Sequence, residues 1–372
     1  MPYHTRVAGA IPWRGPLGRL LLGWAACVGL VLLAAPAGQR AAAGMTGARF
    51  LAELLSDGAW RWLSASTPPP VREPSIDTPA LAAHVWRPAA RAPWPALVLV
   101  HGLTPAGRDD GHLGWAAELL ARAGFRVVVP DLPALRSQRL RPEDAGAVAA
   151  ALSAAEPPVA VVAASVGARP AIAAAAEPAV APRVRLVLSL GGYAEARELV
   201  RYFTTGAYGL GQVTGRVRFD PGLGRAFLGL NLDLVRDAAD RAAVAAALEG
   251  GRLPATAGAE ARAVLAVLEN RDPARVDALL AALPPETRAL LDALSPARLV
   301  HRLPSRLVLV HGRDDPAVPF TESLRLAAAA DPRRTRLVLV DLFAHVEGRR
   351  PGWRQARDLL GLWTAVYELL RT

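Results

Sequence analysis

Lysine is absent from this chain of 372 residues, and all 43 basic residues are arginine. The formal net charge of +10 is of the kind found in proteins that bind nucleic acid or anionic membranes. However, the arginines are scattered, and no basic helix face, zinc-ligand spacing or interleaving of basic and aromatic residues accompanies them. Together with abundant Ala, Leu, Pro and Gly, the use of arginine alone indicates a genome-wide compositional bias. We therefore expect no nucleic-acid partner.

Cysteine is nearly absent as well. Cys27 is the only one, which excludes an intramolecular disulfide and a cysteine-based metal site. Among other ligand types, Asp109, Asp110 and His112 stand together in GRDDGHLGW, but no second group of ligands supports them. We expect neither a metal nor another cofactor.

The longest uncharged run lies near the N-terminus, at 20–39, and follows Arg6, Arg14 and Arg19. Basic residues before a short apolar stretch are typical of a secretory signal, and APA at 35–37 and AAA at 41–43 offer cleavage sites. The same run is long enough to span a bilayer as an uncleaved anchor, with the arginines on the cytoplasmic side. We expect residues 1–44 to be a signal peptide or an N-terminal membrane anchor, with the body exported or membrane-anchored outside the cytoplasm.

Residues 45–70 combine a helical pattern with a proline-rich stretch. Apolar residues recur at helical spacing over 48–63, and STPPPVREP at 66–74 breaks the pattern. We expect an amphipathic helix followed by a linker.

From residue 71 onward, apolar β-type runs alternate with helical patterns. Such alternation, with almost continuously apolar strands, predicts an α/β protein with a mostly parallel sheet and helices on both faces. Residues 80–86 predict a further, antiparallel strand at the edge. The predicted parallel strands lie at 96–100, 125–129, 159–163, 184–190, 306–310 and 336–340, with helices at 113–123, 142–155 and 168–176.

The alternation is interrupted between 195 and 300, where successive helical patterns follow Gly-rich connections near 206–224. A segment of this length is too long for a connecting loop, so it predicts an inserted helical cap. The expected organisation is a first part of the core at 71–194, the cap at 195–300 and a second part of the core at 301–372.

Four of the predicted strands end in residues that can carry chemistry. The run at 96–100 is followed by HGLT, that at 159–163 by ASVG and that at 306–310 by HGRDDPAVP, and FAH comes shortly after 336–340. In open parallel sheets, ligand sites form at the carboxyl ends of the strands. This pattern resembles the α/β-hydrolase family over about residues 71–372, apart from the cap.

The resemblance implies a catalytic triad in the chain order serine, acid, histidine. Ser165, Asp315 and His345 occupy those places. By this resemblance Ser165 is the nucleophile on a sharp strand-to-helix turn, His345 is the general base, and Asp315 orients the histidine. The backbone N–H groups of Leu103 and Val166 would form the oxyanion hole.

One departure and two competing acids accompany this assignment. Ala163 stands where the family's turn usually has glycine, so the turn must accommodate an additional methyl group. Asp314 is adjacent to Asp315, but the family spacing selects Asp315, and Glu195 is a fallback acid. His101 is interpreted as an anchor of the oxyanion loop rather than as a base.

The predicted function is a serine hydrolase that cleaves an ester, or an amide or thioester, through an acyl-enzyme. The same triad fits an acyltransferase with an alcohol acceptor, and the fold also fits a non-catalytic, membrane-tethered binding protein. Aromatic residues near the start of the cap favour a small-molecule substrate with an apolar acyl or alcohol group. They are Tyr202, Phe203, Tyr208, Phe219 and Phe227.

Overall fold

The computed structural model describes residues 23–24, 28–29, 39–218, 221–250, 252–341 and 353–371. Its strands are β1 (Val71–Arg72), β2 (Ile76–Asp77), β3 (Ala82–Arg87), β4 (Ala96–Val100), β5 (Arg126–Pro130), β6 (Val159–Ala164), β7 (Val184–Leu190), β8 (Ala207–Leu210), β9 (Val213–Arg216), β10 (Arg306–Gly312) and β11 (Thr335–Val340). Nine of them form one sheet in the order β1–β3–β5–β4–β6–β7–β10–β11, with β2 paired to β3.

Six consecutive strands of this sheet, from β5 to β11 in the sheet order, are parallel. β5, β4, β6, β7, β10 and β11 pair in parallel, whereas β3 is antiparallel to β5 and to the short β1 and β2. The predicted mostly parallel sheet is confirmed, and the antiparallel strand expected at 80–86 is β3. The six predicted parallel strands agree with the observed ones to within two residues at each end.

Helices cover both faces of the sheet, as predicted. The α-helices of the described residues are α1 (Gln39–Leu55), α2 (Gly111–Arg122), α3 (Pro133–Arg136), α4 (Asp144–Ala154), α5 (Ala168–Ala175), α6 (Ala196–Thr205), α7 (Pro221–Leu230), α8 (Ala238–Leu248), α9 (Ala259–Glu269), α10 (Val276–Ala281), α11 (Pro285–Ala293), α12 (Thr321–Ala329) and α13 (Trp353–Leu369). Along β4, Val98 and Val100 join an apolar cluster with α4, α5 and α12, while Leu97 and Leu99 join another with α1, α2 and α13. This alternation explains why the strand is apolar throughout.

Helix α1 lies further toward the N-terminus than the helix predicted at 48–63. It begins at Gln39 and ends at Leu55, and the chain then turns through Gly58, whose φ is +78°. The alanines at its start favour a helix but contribute no amphipathic pattern, which is why the periodicity missed them.

The apolar side of α1 packs in the apolar cluster that covers one face of the sheet. Phe50 and Leu51 are buried in the second cluster, and the Trp363 indole of α13 donates a hydrogen bond to the Gly44 carbonyl (2.9 Å). Trp24 and Val28, which are described residues of the predicted leader, are buried in the same cluster. Within the described part of the chain, no helix combines the length and the apolarity that crossing a membrane requires.

Between β7 and β10 the chain forms mainly helices, as the sequence indicates, with two small apolar clusters of its own. The Gly-rich stretch also contains the antiparallel hairpin β8–β9, which was not predicted. Its turn contains Gly211, whose φ is +58°. Phe219 lies outside the described residues.

Candidate active site

Ser165 occupies a sharp turn between β6 and α5. It is one of three described non-glycine residues with a positive φ, which is +51°, and its side chain is partly exposed. A left-handed backbone costs an L-residue about 1–2 kcal/mol. Such strain at a partly exposed serine after a buried strand is typical of a nucleophile held forward into a site.

Two glycines allow the turn at Ser165 to pack against the end of β4. A Cβ on Gly167 would collide with the His101 carbonyl oxygen, and one on Gly102 would lie 3.1 Å from Ser165 Cβ. Position 167 therefore needs a residue without a side chain if the turn is to lie this close to β4, and a side chain at position 102 would be in tight contact with Ser165.

Ala163 does not obstruct this turn. It lies within β6, fully buried, with Val100 and Ser189 as its Cα partners on the two neighbouring strands. Its methyl group packs in the first apolar cluster. The additional carbon atom that distinguishes it from glycine is accommodated by the core rather than by the strained residue.

His101 holds the loop that follows β4. Its Nε2 accepts a hydrogen bond from the Leu132 N–H (3.2 Å), so Nδ1 carries the proton and donates to the Gly102 carbonyl (2.8 Å). Burial lowers the pKa of His101, against the effects of the Gly102 carbonyl and nearby carboxylates. A neutral ring with both nitrogens engaged is an anchor rather than a base, in agreement with the interpretation from the sequence.

Leu103 follows this anchor and is 40% exposed. None of the described residues accepts a hydrogen bond from its N–H. Val166 follows Ser165 directly on the first turn after β6. Because β4 and β6 are neighbours, the two proposed oxyanion donors follow adjacent strand ends.

The acidic residues after β4 have structural partners. Asp109 pairs with His84 of β3 (2.6 Å), and this hydrogen bond holds the pKa of Asp109 below its usual value. Asp110 caps α2 by accepting from the Leu113 N–H, and it also accepts from Thr104. No group of three or more metal-ligand side chains occurs among the residues that the structure covers.

Asp315 lies in the turn after β10. Its Oδ1 accepts hydrogen bonds from the N–H groups of Ala317 (2.8 Å) and Val318 (3.1 Å). Burial raises the pKa of Asp315, but hydrogen bonds from His311 and from these two N–H groups outweigh it, so its pKa lies below the usual value. The carboxylate is therefore ionised at neutral pH.

The other oxygen of Asp315 faces the ends of the neighbouring strands. Asp315 Oδ2 lies 3.1 Å from where a Cβ on Gly191 would be, and the Gly191 N–H donates to the Val310 carbonyl (2.9 Å). Gly191 follows β7, which lies between β6 and β10. Ser165 and Asp315 thus follow strands that flank the same strand, on one edge of the sheet.

A buried carboxylate binds the backbone at Glu195, the fallback acid. The carboxylate engaged there is Glu322 of α12, which accepts from the N–H groups of Ala194 and Glu195 (both 2.9 Å) and pairs with Arg325. Burial raises the pKa of Glu322 despite these partners. Glu322 was not predicted as a functional residue, because it lies in an ordinary helical pattern of the sequence, far from β7.

The segment after β7 reaches back to the Asp315 turn. The Tyr202 hydroxyl of α6 donates to the Pro316 carbonyl (2.8 Å), and Tyr202 is buried against Tyr208. Burial and the nearby charge of Asp315 raise the pKa of Tyr202 to about 12. Tyr208 in turn contacts Phe320 edge-on. These rings form an aromatic wall beside the acid.

The structure therefore places four of the five predicted site residues at the carboxyl edge of the sheet, after β4, β6 and β10. These are Leu103, Ser165, Val166 and Asp315. The fifth, His345, lies outside the described residues. It follows β11, the neighbour of β10, after Asp341.

No protein-family model matches the chain. No curated protein matches it either. Solved structures resemble it at low identity. The 2,6-dihydroxy-pseudo-oxynicotine hydrolase is 16% identical, with a TM-score of 0.43, over 86% of this chain and 72% of that one. A meta-cleavage product hydrolase is 20% identical, with a TM-score of 0.42, over 81% and 98%.

The acylaminoacyl peptidase of Pyrococcus horikoshii is 13% identical, with a TM-score of 0.43, over 82% of this chain. The chain spans only 41% of that peptidase. At these identities and scores, the likenesses do not bear on the reaction that this chain performs.

Proposed function

We propose that this chain, which has the α/β-hydrolase fold, is a serine hydrolase that cleaves an ester through an acyl-enzyme. The observation that carries the proposal is the left-handed backbone of Ser165 on a turn that packs against β4 where residue 167 has no room for a side chain. A fold retains such strain where a side chain must be held forward for function. Amide and thioester substrates fit the same chemistry.

In the proposed mechanism, Ser165 Oγ attacks the substrate carbonyl while His345 removes the hydroxyl proton. The N–H groups of Leu103 and Val166 stabilise the oxyanion of the tetrahedral intermediate. His345 gives the proton to the leaving alcohol, and a water molecule then hydrolyses the acyl-enzyme by the same two proton transfers. Asp315 stabilises the imidazolium form of His345 during each transfer.

The surroundings of Ser165 favour a substrate with an apolar group. Leu103 and Leu190 are 40% and 38% exposed, and Leu190 is the Cα partner of Ala164, the residue before the nucleophile. Leu103 follows β4 and Leu190 ends β7, and these two strands lie on opposite sides of β6. An apolar acyl or alcohol group that covers them would gain about 25 cal/mol for each Å² removed from water.

The test compares the wild type with Ser165→Ala and with Ser153→Ala, a matched change at an exposed serine of α4. We expect Ser165→Ala to lose turnover of a short p-nitrophenyl ester by at least about 10⁴-fold, together with covalent labelling by a fluorophosphonate. Ser153→Ala should retain both. Labelling that persists in the Ser165 variant would refute the proposal, and a wild type with neither turnover nor labelling would favour the binding-protein alternative.

Adding a small alcohol to the same assay distinguishes hydrolysis from acyl transfer. Both reactions pass through the acyl-enzyme, and they differ only in whether water or the alcohol accepts the acyl group. We expect the free acid to be the main product at millimolar alcohol. A main product that is the new ester would assign the chain as an acyltransferase.

We further propose that the body is exported, with residues 1–44 as a signal peptide or a membrane anchor. Cleavage after Ala37 would leave α1 whole, whereas cleavage after Ala43 would remove its first five residues, Gln39 to Ala43. Mass spectrometry of the mature N-terminus, combined with fractionation of the producing cells, tests this. An intact N-terminus on a cytoplasmic product would refute it.

A further inference from the structure

We infer that His311 is a positioning residue for the catalytic acid: it holds the Asp315 turn in the geometry that the general base requires. The inference rests on the proposed function, because it concerns how Asp315 acts on His345. His311 belongs to β10, four residues before Asp315, and is 1% exposed.

The imidazole of His311 has a partner at each nitrogen. Its Nδ1 lies 2.7 Å from Ser323 Oγ of α12, and its Nε2 lies 2.9 Å from the Val318 carbonyl oxygen. The same Nε2 lies 3.5 Å from Asp315 Oδ2. The ring therefore spans from α12 to both ends of the turn that contains the acid.

These partners determine where the proton is. A carbonyl oxygen only accepts hydrogen bonds, so Nε2 carries a proton and donates it to Val318. In the neutral ring Nδ1 must then accept from the Ser323 hydroxyl, which fixes the tautomer. The Nε2 proton consequently points toward the 315–318 turn, where it also faces the carboxylate of Asp315.

The turn itself depends on this contact. The Val318 N–H donates to Asp315 Oδ1 while the Val318 carbonyl accepts from His311, so one peptide segment links the two side chains. Tyr202 of α6 also faces Asp315, and its hydroxyl donates to the Pro316 carbonyl. Asp315 Oδ2, which is not used by the turn's N–H groups, remains available to His345.

Loss of the His311 contact should affect the transition state more than substrate binding. His345 carries a positive charge only during proton transfer, and Asp315 stabilises that charge. A displaced Asp315 therefore lowers kcat with little change in KM. It also lowers the pKa of the His345 imidazolium, so the acid limb of the kcat/KM profile moves to lower pH.

The experiment compares His311→Leu, His311→Gln and Ser323→Ala with His301→Leu, a matched change at an exposed histidine. Ester turnover is measured from pH 4 to 9, together with Tm. We expect His311→Leu to lower kcat by about 10- to 100-fold with KM changed less than about twofold, and to shift the acid limb downward. Glutamine carries an amide N–H near the position of Nε2, so His311→Gln should restore most of kcat.

Ser323→Ala should give a smaller loss of kcat, and the acid limb should shift in the same direction. This variant removes the hydroxyl that fixes the His311 tautomer but keeps the Nε2 donor of His311. His301→Leu should match the wild type. A His311→Leu protein with lower Tm but unchanged kcat and pH profile would show a merely structural role and overturn the inference. Ser165→Ala and Asp315→Asn in the same assay separate this result from failure of the proposed function, since turnover near the wild-type level in either would refute the triad itself.

Discussion

Gly167 lies against the carbonyl oxygen of His101, so closely that the α-carbon of residue 167 has no room for a side chain. This contact joins the turn after β6 to the end of β4. It therefore fixes the distance between the proposed nucleophile and the proposed oxyanion loop. Neither backbone segment can move away without disturbing a fully buried strand.

We expect Gly167→Ala to lower the stability by about 1–3 kcal/mol, because an added methyl group must displace backbone rather than a flexible side chain. A displacement of about 1 Å at Ser165 should also lower ester turnover by about 100-fold. Thermal unfolding and turnover of the purified variant measure both effects.

Gly114→Ala is the matched control. Gly114 lies inside α2, and a Cβ there would meet no atom within 4 Å. Alanine in a helix interior is favoured over glycine by about 0.5–1 kcal/mol, so this variant should be slightly more stable and fully active. Equal stability of the two variants would contradict the packing of the turn described above.

The backbone strain at Ser165 should be measurable as a difference in stability between two variants of this residue. Its left-handed backbone costs alanine about 1–2 kcal/mol but costs glycine almost nothing, whereas glycine loses about 0.5–1 kcal/mol through unfolded-state entropy. We expect Ser165→Gly to be more stable than Ser165→Ala by up to about 1 kcal/mol, with both inactive. Chemical denaturation of the two variants checks this. The opposite order, which is usual in strands and helices, would mean that residue 165 is not left-handed in solution.

The sequence was sufficient for the sheet and for the strand ends near which Ser165 and Asp315 lie, because these depend on local patterns. Each parallel strand is an apolar run of the length that a sheet buried on both faces requires, and each is bounded by turn-forming residues. Ser165 and Asp315 could be predicted because both follow such runs directly. The β8–β9 hairpin was missed because its glycines read equally well as a loop.

The supports of the acid could not be predicted. In the sequence, His311 is simply the first residue after the apolar run at 306–310, and its partner Ser323 occupies an ordinary position on α12. Glu322 reaches a segment more than 120 residues earlier in the chain. Contacts of this kind depend on how α12 lies against the sheet, which a single sequence does not encode in its periodicity.

Asp315 and Glu322 should affect the free energy of unfolding with opposite pH dependence. The folded state lowers the pKa of Asp315, so its stabilising charge contributes above the unfolded value of about 3.9 and is lost as the pH falls. The folded state raises the pKa of Glu322, so its contribution is complete below about 4.3 and declines as the pH rises.

Tm measurements from pH 3 to 7 on the wild type, Asp315→Asn and Glu322→Gln test these signs. The stability of the wild type relative to Asp315→Asn should increase with pH over this range. Its stability relative to Glu322→Gln should decrease instead. Parallel curves for the two comparisons would contradict the assigned environments, since substitution of both carboxylates by amides preserves shape.

Helix α1 should contribute to the stability of the folded body through Trp363. This side chain is fully buried, stacks on Tyr367 and donates its indole N–H to the Gly44 carbonyl of α1. Trp363→Phe removes this hydrogen bond and leaves a cavity, so we expect a loss of about 2–4 kcal/mol. Trp62→Phe, at a residue that is 42% exposed, should change stability by no more than about 0.5 kcal/mol. Denaturant midpoints measure the difference, and an equal effect of the two substitutions would mean that α1 is not packed on α13.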